Sequence, residues 1–332
     1  MRAVTLQEDG GVAVTEVPRP APQEPADALV RVTLAAICGS DLHIVEGRTP
    51  VEPGAVLGHE LVGVVEDVGP GVTRVRPGDR VVACFYSSCG DCAQCRRGWF
   101  AQCADKRTFG HGEYFGGLGG GQAEYCVVPH ADHTLEAIPE EVGDEQAVLV
   151  GDALATALFG AERAEVRPGD AVAVVGAGPV GLLAVMAVQL YGPATVFAVD
   201  LVPDRLRLAE ELGAVPVDAS ARHPVEAIQA ATCGLGADAS IECVRGGGTI
   251  SMVGVPSEVT ADFPYVQAWM RDLTFRAGWC NVQPYMRPLL ELIRTGRLHP
   301  ERVISHRMGL EQGEEAYRIF QAREATKIVL RP

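Results

Sequence analysis

Five stretches in the first 130 residues sustain or alternate apolar positions over strand-length windows: VAVTEV (12–17), ALVRVTL (28–34), ELVGVVEDV (60–68), RVVACF (80–85) and AEYCVVP (123–129). Side chains placed with a period of two, and turn residues between the runs, predict short strands, few helices and a β-barrel. The pattern changes at about Asp152. From there to Cys280, apolar strand-length runs alternate with helical spacing, which predicts a parallel α/β sheet. VRPGD occurs at 75–79 and again at 166–170, and each copy predicts a turn that feeds a strand. Proline fixes φ there and glycine takes the left-handed position. PYMRPLLELIRTG (284–296) predicts a helix that starts near Arg287 or bends at Pro288, since proline has no N–H to donate. KIVLRP (327–332) predicts a returning strand.

Candidate chemistry changes the picture first at CGDCAQCRRGWFAQC. Cys89, Cys92, Cys95 and Cys103 follow C-x2-C-x2-C-x7-C, an insertion between RVVACF and the glycine-rich GEYFGGLGGGQAEY. Two-residue gaps let neighbouring thiolates converge on one ion, and the longer arm closes the shell. Four thiolates with no open position describe a structural zinc. An iron–sulfur cluster is the alternative, although its common spacings differ.

A second set lies at Cys38, His59 and Asp152. Gly39 follows the cysteine, and Gly58 and Gly151 precede the other two, so the backbone can turn tightly at each. Cys, His and Asp form a three-ligand shell with a fourth position open, as catalytic zinc uses. Singly, each has a plainer reading: a small buried hydrophobe, a core histidine, and an N-cap for ALATALFGAE.

The strand-like Val172–Val175 runs into Gly176, Ala177, Gly178, Pro179, Val180 and Gly181, and then into an apolar helical stretch. In G-x-G-x-x-G the first glycine makes the turn, the second admits a pyrophosphate and the third packs helix on strand. The phosphates then meet the helix N-terminus. The next strand ends at Asp200, whose carboxylate suits the adenosine ribose and repels a 2′-phosphate. NAD is therefore expected over NADP, with Arg205 able to soften the preference.

At 332 residues the chain is long enough for two domains. A formal net charge of −15, with no basic stripe, argues against nucleic acid. The N-terminus reads directly as a strand with no apolar leader, and the apolar runs are too short to span a bilayer. Of ten cysteines, five are accounted for by the metal sets. Cys84, Cys126, Cys233, Cys243 and Cys280 lie in apolar or mixed surroundings and are expected to be inert thiols in a reducing cytoplasm.

Together these motifs resemble the zinc-containing medium-chain alcohol dehydrogenases, bacterial type, over the whole length from Met1 to Pro332. The resemblance implies a GroES-like β-barrel catalytic domain (1–151, with the zinc lobe at 86–104) and a doubly wound Rossmann NAD-binding domain (152–281). The last part, 282–332, would return to the catalytic domain. It also implies two zinc ions per chain. Cys38, His59 and Asp152 would hold the catalytic one, Asp being the third ligand in a bacterial subset. By the same resemblance Ser40 passes on the alcohol proton, His43 is the next relay member, Asp41 orients the ligating histidine, and Glu60 is an acid able to approach the metal. A homodimer or homotetramer acting on a small alcohol or aldehyde is implied.

One place departs from the family. Ala239–Val244 and Thr249–Val255 read as the fourth and fifth Rossmann strands, yet only Arg245–Gly248 separates them. Four residues reach at most about 14 Å, and parallel neighbours need a crossover of a dozen or more residues, usually a helix. A hairpin or displaced strand is expected, and cofactor binding is put in question. Two functions follow: a zinc- and NAD-dependent alcohol dehydrogenase, or a zinc-binding scaffold of the same fold with impaired turnover.

Overall fold

The computed structural model describes residues 1–238, 244–254 and 263–332. Two compact units are present: Met1–Ala155 with Asn281–Pro332, and Thr156–Cys280.

The first unit is built on a seven-stranded sheet. Its order is His306–Gly309, Ile328–Arg331, Ala28–Ile37, Glu60–Val68, Arg80–Ala83 and Leu135–Ala137, with Tyr125–Val128 also paired to Ala28–Ile37. The expected strands of this unit all form. Ala28–Ile37 is the organising element. Its first half pairs with Tyr125–Val128, its last residues pair with Ile328–Arg331, and Glu60–Val68 runs along the other edge. Only Arg31 in it is exposed. This departs from strict alternation because the strand serves two cores. Val30, Val32 and Ala35 pack with Leu61, Val81 and Phe109, while Ile37 packs with Val4, Leu57, Tyr317 and Phe320.

The second unit contains the parallel strands Ala171–Val175, Thr195–Asp200 and Val215–Asp218, each followed by a helix: Pro179–Gln189, Pro203–Glu211 and Pro224–Ala231. A second parallel pair joins Thr249–Met252 to Thr274–Ala277. Asp238 lies between the two sets. Its N–H donates to the Ala171 carbonyl at 2.7 Å, and its own carbonyl accepts from Thr249 N at 2.9 Å. The link Arg245–Gly248 is a turn without a helix, closed by Gly248 N to Arg245 O at 3.2 Å with Gly247 at φ +72°. Four residues are too few for a helical crossover. No hairpin joins the described ends of the link. Val244 makes a parallel bridge with Ala237, and the strand expected over Thr249–Val255 is Thr249–Met252 in parallel pairing with a later strand. Residues 239–243 of the other expected strand lie outside the described residues.

Both VRPGD copies are turns. Gly78 and Gly169 have φ of +96° and +91°, and Asp79 and Asp170 accept from Arg76 N and Arg167 N. The helix expected over PYMRPLLELIRTG does not start near Arg287 but four residues earlier. It runs Gln283–Arg294, with Pro284 in the first turn and Pro288 inside it. A first-turn N–H has no intrahelical partner, so Pro284 costs nothing there. Met286, Leu289, Leu290 and Ile293, all buried, keep the helix docked through the second proline.

Candidate metal centres and nucleotide loop

Four sulfurs converge in the lobe after Ser88. Cys89, Cys92, Cys95 and Cys103 bring their Sγ atoms within 4.8 Å of one another. Cys103 Sγ lies 3.5 Å from Cys89 Sγ and 4.0 Å from Cys92 Sγ. These separations are too long for a disulfide. A tetrahedron with metal–sulfur bonds of about 2.3 Å has edges of about 3.8 Å, so the donors fit one zinc-sized ion. Backbone amides are aimed at the sulfurs: Cys89 N and Asp105 N donate to Cys103 Sγ, and Cys92 N donates to Cys89 Sγ. Amides of Cys95 and Ala104 pull the Cys92 thiol down to about 6, whereas burial pushes the Cys95 and Cys103 thiols up.

The second cluster is assembled from three element junctions. Cys38 ends the strand Ala28–Ile37 and caps helix Gly39–Val45. His59 directly precedes strand Glu60–Val68, and Asp152 directly precedes helix Ala153–Arg163. Gly151 is needed beside it, because a Cβ there would stand 1.9 Å from the Ala83 carbonyl oxygen. Asp152 Oδ2 lies 3.6 Å from Cys38 Sγ and 3.3 Å from His59 Nε2. Tetrahedral edges for zinc with sulfur, nitrogen and oxygen ligands are about 3.6 Å for S···O and about 3.4 Å for N···O. The donor set therefore fits the ion. Ser40 Oγ is 3.3 Å from the same His59 nitrogen, and Asp41 Oδ1 stands 3.1 Å from Nδ1.

Electrostatics favour a cation here. Burial alone would lower the pKa of His59, but Asp41 foremost, then Cys38 and Asp152, outweigh it and hold it well above the ordinary value. Lys327 behaves likewise: burial would lower it, and Glu60, Cys38 and Asp152 raise it. Its Nζ is paired with Glu60 Oε2, both side chains being buried. Glu60, expected as an acid able to approach the metal, is held in this buried ion pair. His43 sits one helical turn beyond Ser40, and burial, then Arg48, keeps its imidazole below the ordinary pKa.

Several participants carry no local signature. Lys327 reads as the start of a strand. Gln122 donates to Asp41 Oδ2 at 3.2 Å, and Tyr317 donates to Gln122. His111 packs edge-on against His59, ring centroids 5.0 Å apart, and its ring also meets that of Phe115 at 5.7 Å. His111 directly precedes the glycine-rich stretch that follows the zinc lobe. Phe109 is a core residue, and Tyr114 and Trp99 are exposed. Cys84, Cys126 and Cys280 are buried, and burial pushes Cys126 up to about 12. Cys233 is exposed at φ +53° just beyond helix Pro224–Ala231. Cys243 lies outside the described residues.

In the second unit Gly176 has φ +90° and donates to the Val199 carbonyl. A Cβ on Gly181 would meet Gly176 O at 1.7 Å, whereas Cβ atoms on Gly176 and Gly178 would enter open space. Close helix–strand packing at the third glycine and a clear approach at the first two match what a pyrophosphate needs. Pro179 and Val180 open the helix, capped by Gly178. Asp200 accepts from Ala177 N at 2.6 Å and from Leu201 N and Val202 N at 2.7 and 2.9 Å, which fixes its carboxylate at the mouth of the loop. Arg205 lies in the first turn of helix Pro203–Glu211.

A four-cysteine lobe, a Cys–His–Asp cluster and a G-x-G-x-x-G strand–helix turn together have the form expected of a zinc-binding dehydrogenase. The pattern of the alcohol dehydrogenase GroES-like domain matches residues 24–140, and that of the zinc-binding dehydrogenase matches residues 179–295. A probable zinc-binding alcohol dehydrogenase of Mycobacterium tuberculosis is 38% identical over 348 residues, covering 100% of this chain and 89% of that one. An alcohol dehydrogenase from Thermus sp. ATN1 superimposes with a TM-score of 0.96 at 43% identity, covering 100% and 99%. A putative zinc-binding dehydrogenase from Sinorhizobium meliloti, bound to NADP, gives a TM-score of 0.88 at 30% identity, covering 100% and 99%. The chain belongs to the zinc-containing medium-chain alcohol dehydrogenase family. No helix among the described residues is long and apolar enough to cross a membrane.

Proposed function

We propose that the protein transfers a hydride from a small alcohol to NAD, giving an aldehyde or ketone, with one catalytic and one structural zinc per chain. The observation that carries this reading is the convergence of Cys38, His59 and Asp152 at tetrahedral-edge distances, with the Ser40 hydroxyl beside them. When bound, the catalytic zinc supplies the Lewis acidity that makes an alcohol hydroxyl acidic near neutral pH. Ser40 accepts the substrate's proton, and His43, neutral and one turn away, takes it onward. Asp41 holds the His59 ring. The glycine loop cradles the pyrophosphate of NAD, and Asp200 accepts from the adenosine ribose. Zinc content by elemental analysis, with NADH formation over a panel of polyols and of primary and secondary alcohols, tests the reading. Two zincs and turnover of at least one alcohol are expected. The turn at Arg245–Gly248 favours a second reading, a scaffold that holds zinc without seating the cofactor. Absence of NADH binding by fluorescence would select it.

Asp200 carries the cofactor choice. Asp200→Ala is expected to narrow the preference for NAD over NADP by roughly tenfold, equivalent to about 1.4 kcal/mol. The same change strips the acceptor from three backbone amides, so thermal stability should fall alongside. Comparison of kcat/KM for the two cofactors decides it, and a wild-type protein that already prefers NADP would refute this role.

A further inference from the structure

Tyr317, Gln122 and Asp41 are each fully buried and form a polar line through an apolar core. Tyr317 lies on helix Gly313–Gln321, and its hydroxyl donates to Gln122 Oε1 at 2.9 Å. A donor on the amide oxygen fixes which end of the amide faces the other way. The Gln122 NH2 group accordingly donates to Asp41 Oδ2 and to the Ala36 carbonyl, both at 3.2 Å. Asp41 Oδ2 also accepts from Cys38 N at 2.9 Å, so this oxygen has two donors and Oδ1 is left to face His59 Nδ1 at 3.1 Å. Gly58, next to His59, has φ +92°, and a Cβ there would stand 2.3 Å from Gln122 Cγ. The backbone beside the histidine is thus shaped around this glutamine.

We propose that Gln122 and Tyr317 are positioning residues that fix the Asp41 carboxylate, and through it the His59 ring, in the orientation a metal ion requires. The proposal rests on the reading of Cys38, His59 and Asp152 as zinc ligands. Oriented outer partners of a ligating histidine typically alter metal affinity by about 10–100-fold. Tyr317 acts at one remove, by holding the amide in the sense that presents N–H groups to Asp41.

The test is the rate of zinc release to a chelator from the full-length, zinc-loaded protein. Cys38→Ser serves to identify which release phase belongs to the Cys38 cluster. Gln122→Met keeps the length of the side chain and removes its donors. It is expected to speed that phase by about tenfold and to leave the phase of the cysteine lobe unchanged. Tyr317→Phe should give a smaller acceleration of the same phase, and it carries the test alone if Gln122→Met does not fold. Phe320→Leu, buried one turn further along the same helix and without a polar group to bond to the line, controls for general loosening and should release zinc at the wild-type rate. Wild-type release from the folded Gln122 or Tyr317 variants, or equal acceleration by Phe320→Leu, would overturn the proposal. A wild-type protein with no zinc sensitive to Cys38→Ser would instead overturn the ligand assignment, and the proposal with it.

Discussion

Cys95→Ser is expected to cost the lobe its zinc and lower the thermal midpoint by roughly 10 °C, whereas Cys38→Ser should lose a different zinc and leave the midpoint nearly unchanged. The contrast follows from what holds each site. Cys38, His59 and Asp152 project from the ends of a sheet strand, a second strand and a long helix, all packed on buried residues. The lobe has only the short 3-10 turns Cys95–Arg97 and Phe100–Gln102, closed by bonds such as Gly98 N to Cys95 O and Cys103 N to Phe100 O. Its sulfurs are its core. Structural zinc contributes folding free energy directly, about 10–16 kcal/mol in isolated zinc-binding peptides. Only part of that reaches a lobe anchored in a larger unit, also tied by Ala101 N to Asn281 Oδ1 at 2.9 Å. A loss of about 3–5 kcal/mol, at about 2–4 °C per kcal/mol for a unit this size, gives the stated shift. Calorimetry with elemental analysis of both variants checks it. Equal midpoints for the two, or one zinc or none in the wild type, would refute the division of labour.

What could be read from the chain follows the range over which each feature is encoded. The barrel strands, both VRPGD turns, the glycine loop and the cysteine lobe are all specified within a few residues, so periodicity and spacing reveal them. The Cys38 cluster spans 38 to 152, and each member is ordinary by itself; the glycines at 39, 58 and 151 were the only local sign. Beyond that ring the signal disappears. Lys327 meets Glu60 across 267 residues and Tyr317 meets Gln122 across 195, contacts created entirely by the strand pairing of Ile328–Arg331 with Ala28–Ile37 and the docking of the last helix. No spacing rule could join them. A start near Arg287 for helix Gln283–Arg294 fails for the opposite reason. Pro288 is a strong local signal, and burial of one apolar face overrode it. At Arg245–Gly248 covalent reach excluded a helix, but did not say with which strand Thr249–Met252 would pair.

Lys327→Met is expected to be the most damaging single change near the cluster outside the ligands themselves. Lys327 and Glu60 are almost fully sequestered from water, and the surroundings are already anionic, with Asp152 and Cys38 both acting on Lys327. Removing the ammonium leaves a buried carboxylate without its paired counter-charge. Breaking a buried pair in this way typically costs about 3–5 kcal/mol, roughly 10 °C in thermal midpoint by the scale used above. Two relaxations are open to Glu60: to take up a proton, since burial already pushes its carboxyl upward, or to turn toward the metal cluster. The double variant Glu60→Leu with Lys327→Met separates pairing from packing. It removes both charges while keeping apolar bulk, so most of the lost stability should return, because replacing a buried pair with well-packed apolar groups is often neutral. Thermal midpoints of the two single variants and the double variant, taken as a cycle, give the coupling directly. A double variant no more stable than Lys327→Met would show that the loss does not arise from an unpaired Glu60 charge, and that this charge is tolerated in the core without its partner.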